Sequence, residues 1–266
     1  MPFHLELPPT FIDRLRGADR PQVGMWVCSG SPVAAEIAAG SGLDWVLIDG
    51  EHAPYGLETV TELLRATAAY PATAVVRVPS VDRVLIKQYL DLGAQNIIVP
   101  MVDTVAQAEE AVAAMHYPPR GVRGVGSALA RGSRWNMVED YLGSASGTVG
   151  LVVQIESTEA VENVGAIAGV DGVDAGFVGP SDLAASMGLL GQQTHPDVVA
   201  AVKTAIAAFT AAGKPVGVNA FNPDQARDYL DAGASFVLVG ADVTLLAGGA
   251  RRLAEDFVDP LEGNDR

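Results

Sequence analysis

The sequence predicts an α/β protein that folds as a (β/α)8 barrel. Short runs rich in Val and Ile alternate with longer amphipathic segments along all 266 residues. Most of these runs are apolar without strict alternation, which is typical of parallel strands that are buried on both faces. Eight such runs are present, whereas a doubly wound sheet usually has about five or six strands, so a closed barrel is favoured.

The order of the elements follows from these patterns. Strands are expected at 23–28, 45–49, 74–78, 97–101, 150–156, 175–179, 216–220 and 236–240, and helices at 57–69, 83–92, 106–115, 158–168, 196–212 and 224–232. Gly93 and Gly233 follow two of the helices, at the C′ position where a left-handed residue is favoured. The longest interruption, 117–148, is rich in Pro, Gly and Arg and predicts a loop with a short helix; loops of this length are often functional.

No shift in composition divides the chain, so we expect one domain over 1–266. Its core would span about 20–258, followed by a polar tail at 260–266. With 49% hydrophobic and 18% charged residues the chain can bury a large core.

Charge and cysteine content exclude several classes of protein. The net charge of −15 argues against a nucleic-acid partner, because phosphate backbones need clustered Lys and Arg. Cys28 alone can form neither an internal disulfide nor a thiolate zinc site. No apolar run reaches the roughly 18 residues that cross a bilayer, and no secretory signal is visible, so we expect a soluble cytoplasmic protein.

Polar residues at the C-terminal ends of barrel strands are typical of catalytic residues, whereas those at the N-terminal ends are typical of structural ones. Five of the predicted strands carry such residues at or just beyond their C-terminal ends. If the barrel closes, they meet at one rim: Asp49, Glu51, His52, Arg77, Gln154, Glu156, Ser181, Asp182 and Asn219.

Glu156 and Asp182 indicate a site for a divalent cation. Hard cations such as Mg²⁺ or Mn²⁺ prefer oxygen ligands, often one or two carboxylates with water and substrate oxygens. The alternative is that Asp182 caps a helix and that Glu156 is a solvated loop acid. Zinc is less favoured, since no second His or Cys lies nearby in the sequence.

His52 and Arg77 are candidates for proton transfer and oxyanion binding. Asp49 is close enough in sequence to orient the His52 ring, which would leave the second imidazole nitrogen free to exchange a proton. The alternative is a loop histidine without a chemical role. Arg77 lies within an apolar strand and needs an anionic partner, either an acid of the barrel or the oxyanion of a substrate.

The lysines and the other arginines of the chain limit the reaction mechanisms that are possible. None of Lys87, Lys203 and Lys214 is placed to face a substrate, so a mechanism through a Schiff base is disfavoured. A local basic stretch either pairs with the abundant acids or forms a second anion-contacting loop; its members are Arg120, Arg123, Arg131 and Arg134.

Several long motifs resemble the HpcH/HpaI family of class II, metal-dependent pyruvate aldolases. They are LIDGEHAP (47–54), RVP (77–79), LIKQYLDLGAQNIIVPMVDT (85–104), YPPRGVRGVGSALARGSRW (117–135), VVQIES (152–157) and FVGPSDLAASMG (177–188). The similarity covers nearly the whole chain. It implies a barrel of the phosphoenolpyruvate/pyruvate superfamily type, in a homohexamer whose final helix packs on a neighbouring subunit.

The resemblance also implies a role for each candidate residue. Glu156 and Asp182 would ligate Mg²⁺, Mn²⁺ or Co²⁺, which a 2-oxo acid chelates, with Gln154 beside them. Arg77 would hold the keto oxygen as it becomes an enolate, and His52, paired with Asp49, would transfer protons. Further roles fall to Asp91, a supporting acid near a subunit interface, and to the backbone amides of Ser181 and Asp182, which would meet the substrate carboxylate.

The function implied is reversible cleavage of 4-hydroxy-2-oxo acids into pyruvate or hydroxypyruvate and an aldehyde, in the breakdown of aromatic or sugar-acid skeletons. Two positions depart from the family: Ser181 stands where Ala is common, and Asn219 stands at a frequently aliphatic position that faces the aldehyde. The alternatives are a lyase for acyl-CoA esters, whose CoA phosphates would need the basic stretch, and a non-catalytic sensor that binds a metal and a 2-oxo acid.

Overall fold

The computed structural model describes residues 5–258 and contains a closed barrel of eight parallel strands. Each strand pairs with its neighbour in sequence, and the last pairs with the first. The strands are β1 (Gln22–Val27), β2 (Trp45–Asp49), β3 (Thr73–Arg77), β4 (Asn96–Val99), β5 (Gly150–Ile155), β6 (Ala175–Val178), β7 (Val216–Asn219) and β8 (Phe236–Ala241). The predicted (β/α)8 barrel is thus confirmed, with strand ends within two residues of those expected.

Helices surround the barrel, and those predicted from the sequence are all present. They are α1 (Phe11–Gly17), α2 (Pro32–Ala39), α3 (Leu57–Thr67), α4 (Arg83–Asp91), α5 (Val105–Met115), α6 (Tyr141–Ser144), α7 (Thr158–Gly169), α8 (Pro180–Ser186), α9 (Pro196–Ala211), α10 (Pro223–Asp231) and α11 (Asp242–Phe257). Gly93 and Gly233 are left-handed, with φ of 94° and 109°, as their place after a helix predicts. No helix within residues 5–258 is long and apolar enough to cross a membrane.

Alternation along the strands decides which side chains face the barrel interior. Successive side chains of a strand point to opposite faces, so residues two apart share a face. Leu47, Val75 and Val152 belong to the buried cluster inside the barrel. The side chains two residues further along their strands are Asp49, Arg77 and Gln154, and the same alternation therefore directs them inward at the C-terminal end.

Helix α1 closes the N-terminal end of the barrel. Phe11 packs against Trp45 and Phe236 with ring centroids 5.1 and 5.2 Å away, and its backbone N–H donates to the Asn96 side-chain oxygen at 2.7 Å. Gly24 leaves room for the Trp45 indole, since a Cβ built on Gly24 would lie 2.5 Å from that ring. Large aromatic side chains thus fill the closed end, and the open end is left for chemistry.

Replacing Gly24 by alanine is expected to destabilise the barrel by about 1–3 kcal/mol, because the added methyl group overpacks a filled interior. Urea unfolding followed by circular dichroism measures the change. Gly165→Ala is the matched control: Gly165 lies within α7 with open space around it, so the same methyl group should stabilise by about 0.5–1 kcal/mol. Equal stability of the Gly24 variant and the wild type would contradict the packing described.

Candidate active site

A cavity of about 260 Å³ opens at the C-terminal ends of the strands. Its position is the one where (β/α)8 barrels carry their active sites. The residues that line it are Trp26, His52, Arg77, Gln154, Phe177, Gly179, Ser181, Asp182 and Asn219. The structure therefore brings together most of the side chains that the sequence placed at one rim.

Arg77 is the buried cation of this site, and its guanidinium group is fixed on three sides. Nε and Nη2 each donate to a different oxygen of Asp49 at 2.9 Å, and Nη1 lies 3.0 Å from a Glu51 oxygen. The guanidinium carbon lies 4.3 Å from the centroid of the Trp26 ring. Such a paired and stacked arginine is held in one orientation before any ligand arrives.

The expected pairing of Asp49 with His52 is wrong. Both oxygens of Asp49 accept hydrogen bonds from Arg77, its neighbour across the β2–β3 register, and Asp49 Oδ1 also accepts from the Glu51 backbone N–H at 3.1 Å. The carboxylate next to His52 is Glu51, whose Oε2 lies 3.8 Å from Nε2. The His52 side chain is 68% exposed, so it lies at the mouth of the cavity in contact with solvent.

Glu156 is the most deeply buried acid at the rim. It is only 2% exposed, which excludes a solvated loop acid. One oxygen accepts from the Met101 backbone N–H at 2.8 Å, and the other accepts from the Gln154 side-chain amide. The pKa of Glu156 is raised to about 7, chiefly by burial; the Met101 hydrogen bond opposes the rise, and the negative charge of Asp182 contributes to it.

Asp182 lies in the first turn of α8 and does not cap it. The helix begins at Pro180 after an N-cap at Gly179, and no side chain caps it. Asp182 is exposed, and its charge raises the pKa of both Glu156 and Glu51, secondary to their burial. Near the start of a helix the backbone N–H groups of Ser181 and Asp182 lack acceptors within the helix.

The donor set suits a hard divalent cation. Glu51, Glu156 and Asp182 repel one another, and Arg77 already contacts Asp49 and Glu51. The side-chain oxygen of Gln154 is buried without a hydrogen-bond donor. Within residues 5–258 no three His, Cys, Asp or Glu side chains converge as a metal site. Proteins often hold a hard cation such as Mg²⁺ with only one or two carboxylates, while water and substrate oxygens complete its coordination.

Gly179 makes room for the Glu156 carboxylate. A Cβ at Gly179 would lie 2.6 Å from Glu156 Oε2 and 3.0 Å from Gln154 Nε2. We expect Gly179→Ala to displace Glu156 and to lower divalent-cation affinity by about 10- to 100-fold, the range seen when groups that orient ligands are changed. Calorimetric titration with Mn²⁺ measures this. Gly169→Ala adds the same methyl group where nothing lies within 4 Å, and a loss of affinity common to both variants would contradict this role.

Trp26, Phe177 and Asn219 form another part of the cavity wall. The Trp26 indole N–H donates to the Asn219 side-chain oxygen at 3.1 Å, so Asn219 presents its amide NH₂ as a donor to a ligand. Ser181 Oγ accepts from the Gln193 side chain at 3.1 Å. This wall is polar at the position where the family resemblance implies an aliphatic residue.

Asp91 does not line the cavity. It ends α4 and accepts a hydrogen bond from Arg123 at 2.9 Å, with the Arg123 guanidinium over the Tyr117 ring. The segment 117–148 is a loop with short helices, as predicted. Arg123 therefore pairs with an acid, whereas Arg131 and Arg134 contact backbone carbonyl oxygens and line a different cavity.

Sequence reasoning assigned no role to three residues of the site: Glu51, Trp26 and Gly179. Glu51 was placed at the rim but given no chemistry; it lies in the bend after β2, and its carboxylate lies 3.0 Å from Arg77 Nη1. The Trp26 side chain is the last one of β1 that points inward. It lies two residues after Gly24, so alternation along the strand identifies it. Gly179 carries no such signal, because a glycine reveals the space it leaves only when its neighbours are known.

The fold and the site together define a (β/α)8-barrel protein with an acidic cavity that holds one buried arginine at its C-terminal rim. A family model described as HpcH/HpaI aldolase/citrate lyase matches residues 22–248. The chain belongs to this family.

Relatives with assigned names are similar in sequence to this chain over nearly its full length. A hydroxypyruvate/pyruvate aldolase of Deinococcus radiodurans is 52% identical over 262 residues, which are 97% of this chain and 94% of that protein. A 4-hydroxy-2-oxo-heptane-1,7-dioate aldolase of Salmonella dublin is 51% identical over 247 residues, 93% of this chain and 94% of that protein. The crystal structure of an HpcH/HpaI aldolase/citrate lyase family protein from Burkholderia cenocepacia has a TM-score of 0.88 and 41% identity, covering 92% of this chain and 97% of that chain.

Proposed function

We propose that this protein is a metal-dependent aldolase that reversibly cleaves 4-hydroxy-2-oxo acids into pyruvate or hydroxypyruvate and an aldehyde. The observation that carries the proposal is the juxtaposition of Asp182 and Arg77, which line one cavity, with the buried carboxylate of Glu156, which lies directly against Gln154 and Gly179 of the cavity wall. The two relatives support it, since one is named for hydroxypyruvate and pyruvate and the other for a 4-hydroxy-2-oxo acid.

Glu156 and Asp182 would hold the divalent cation, with Mg²⁺, Mn²⁺ and Co²⁺ as candidates. When bound, such a cation withdraws electron density from the keto oxygen of a 2-oxo acid and acidifies the adjacent carbon. Gln154 donates to Glu156 and so fixes its orientation, while its own oxygen remains free to accept from a ligand hydroxyl or water. The free N–H groups of Ser181 and Asp182 suit the substrate carboxylate.

Arg77 would stabilise the negative charge that develops during cleavage, and His52 would accept the proton of the 4-hydroxyl group. In cleavage, the 4-hydroxyl loses its proton, the C3–C4 bond breaks, and the electron pair stays on the 2-oxo-acid fragment as an enolate. Arg77, held by Asp49 and Glu51, stabilises the developing oxyanion. His52, exposed beside Glu51, accepts the hydroxyl proton and exchanges it with solvent. Protonation of the enolate carbon then gives pyruvate.

Release of pyruvate from a racemic 4-hydroxy-2-oxo acid tests the proposal. Coupling to lactate dehydrogenase reports pyruvate, and a panel of aldehydes with pyruvate or hydroxypyruvate tests the reverse direction. We expect chelator-treated protein to be inactive and Mn²⁺ or Mg²⁺ to restore activity. Turnover that survives removal of the metal would contradict the proposal. Tight binding of pyruvate and metal without turnover on any acceptor would instead identify a sensor.

The acyl-CoA lyase is the less favoured enzyme. It needs cations near the site for the CoA phosphates, and the basic stretch does not supply them there. Arg123 is buried against Asp91, and Arg131 and Arg134 line a cavity at the other end of the strands. Within the described residues, the one Lys or Arg side chain that lines the site cavity is Arg77.

We also propose that the subunits assemble through α11. Apart from Asp242 this helix is exposed, and its surface carries large apolar side chains such as Leu245, Leu246, Leu253 and Phe257. Contact with a neighbouring subunit would remove this apolar surface from water. The hexameric state and the cytoplasmic location stay predictions.

A further inference from the structure

A second cavity, of about 180 Å³, lies at the N-terminal ends of β3 and β4, on the opposite side of the barrel from Glu156. Thr73 and Asn96, the first residues of these two strands, line it. It is too small for a nucleotide or for CoA, since pockets for such ligands span about 300–1,000 Å³. A ligand of this cavity would therefore be a small molecule or ion.

Three arginines line this second cavity, in a protein whose net charge is −15. They are Arg14, Arg131 and Arg134, and no acidic side chain is among the described residues that line it. None of the three has a carboxylate of residues 5–258 within ion-pair distance. Three unneutralised positive charges around one small cavity create a local field that favours an anion.

Arg131 and Arg134 are held in this arrangement and are half-buried. Nη1 of Arg131 donates to the Leu92 carbonyl at 3.1 Å, and Nη1 of Arg134 donates to the Arg131 carbonyl at 2.6 Å. Both Nη1 atoms crowd over Gly93, where a Cβ would lie 2.6 and 3.1 Å from them. The pKa of Arg131 is lowered to about 10, chiefly by burial and also by the charges of Arg134 and Arg65.

The backbone that carries Arg134 is in an unfavourable conformation. Arg134, Trp135 and Asn136 are consecutive left-handed residues, with φ of 52°, 55° and 64°. Residues with a Cβ seldom adopt this conformation, because the Cβ approaches the following carbonyl oxygen. The Ser133 hydroxyl stabilises the turn by accepting from the Asn136 N–H at 3.0 Å. The chain thus keeps two like charges together on a strained loop, which a bound counter-ion would offset.

We propose that this cavity binds a small oxyanion carrying two or more negative charges, such as inorganic phosphate or a short dicarboxylate, and that binding stabilises the barrel. Arginine forks donate parallel hydrogen bonds to carboxylate and phosphate oxygens. The site is distinct from the substrate cavity, because Arg77 and Arg131 lie at opposite ends of the barrel. The proposal does not depend on the aldolase reaction.

Thermal unfolding at constant ionic strength tests it, with inorganic phosphate as the first probe, succinate as the second and sodium chloride as the reference. A ligand that binds only the folded state raises Tm in proportion to ln(1 + [L]/Kd). We expect phosphate or succinate to raise the Tm of the full chain by a few degrees, and chloride not to. The probe that raises Tm shows whether the cavity binds phosphate or a dicarboxylate.

Variants assign the effect to this cavity. Arg131→Gln and Arg134→Gln should raise the Kd of the active probe at least tenfold by calorimetry, and Arg134→Lys, which keeps the charge but loses the fork, should give a smaller increase. Arg227→Gln removes an exposed charge outside the cavity and should leave Kd unchanged, as should Arg77→Lys at the substrate cavity. No stabilisation by either probe overturns the proposal. The proposal is also overturned if both glutamine variants still bind the active probe, or if Arg77→Lys no longer binds it. If one glutamine variant fails to fold, the lysine variant and the other position still decide.

Discussion

Replacing Glu156 by glutamine is expected to lower kcat for pyruvate release by about 10³-fold or more, together with a loss of divalent-cation affinity. Glutamine has the same shape and can still accept from the Met101 N–H, so the fold should persist. What disappears is the negative charge that a cation would neutralise in a buried site. Steady-state kinetics at saturating Mn²⁺ and calorimetric titration of chelator-treated protein measure the two effects separately.

Glu159→Gln is the matched control, because Glu159 is an exposed acid in the first turn of α7, three residues further along the chain. It removes the same charge from the same region without touching the cavity. We expect it to leave kcat and metal affinity within about twofold of the wild type. A Glu156 variant that kept wild-type activity and wild-type Mn²⁺ affinity would remove the basis of the proposed metal site.

Replacing Arg77 by lysine is expected to lower kcat/KM for the 2-oxo acid by about 10²- to 10³-fold. Losing one preorganised donor to a developing oxyanion typically has an effect of this size. Lysine keeps the charge, but it cannot donate in parallel to both oxygens of Asp49. It also lacks the planar guanidinium group that stacks on Trp26. Partial loss of the buried pair should also lower the free energy of unfolding.

Two measurements separate chemistry from stability in this variant. Thermal unfolding shows how much of the protein is folded at the assay temperature, and kcat/KM is then compared at that temperature. Arg83→Lys, an exposed position at the start of α4, is the control and should behave as the wild type. Unchanged kcat/KM in a folded Arg77 variant would show that the guanidinium group does not act on the substrate.

The rim of the site could be predicted from the sequence because strand alternation is a local property. Once β2, β3 and β5 are recognised, the inward direction of Asp49, Arg77 and Gln154 follows from the residues two positions before them. Glu156 follows β5 directly and was found in the same way. These are residues whose role depends on their own strand and on the closure of the barrel.

The partners of individual side chains could not be predicted, because they depend on contacts between strands and between distant segments. Asp49 was assigned to His52, which is near in sequence, whereas the pairing of β2 with β3 places Arg77 beside it. Asp91 accepts a hydrogen bond from Arg123, which lies in a loop 32 residues away, and its supporting role near a subunit interface stays a prediction. Competition for a carboxylate between a neighbouring residue and a distant arginine is settled by the geometry of the fold, which no local pattern encodes.

When a divalent cation is bound, we expect the residues of the substrate cavity to remove a proton from the methyl group of pyruvate. Exchange of the pyruvate methyl protons with deuterium, followed by NMR in D₂O, tests it without an acceptor aldehyde. We expect chelator-treated protein to catalyse exchange only after Mn²⁺ or Mg²⁺ is added. This should hold for the wild type and Glu159→Gln but not for Glu156→Gln. Folded, metal-loaded protein that exchanges neither pyruvate nor the hydroxymethyl protons of hydroxypyruvate would contradict it.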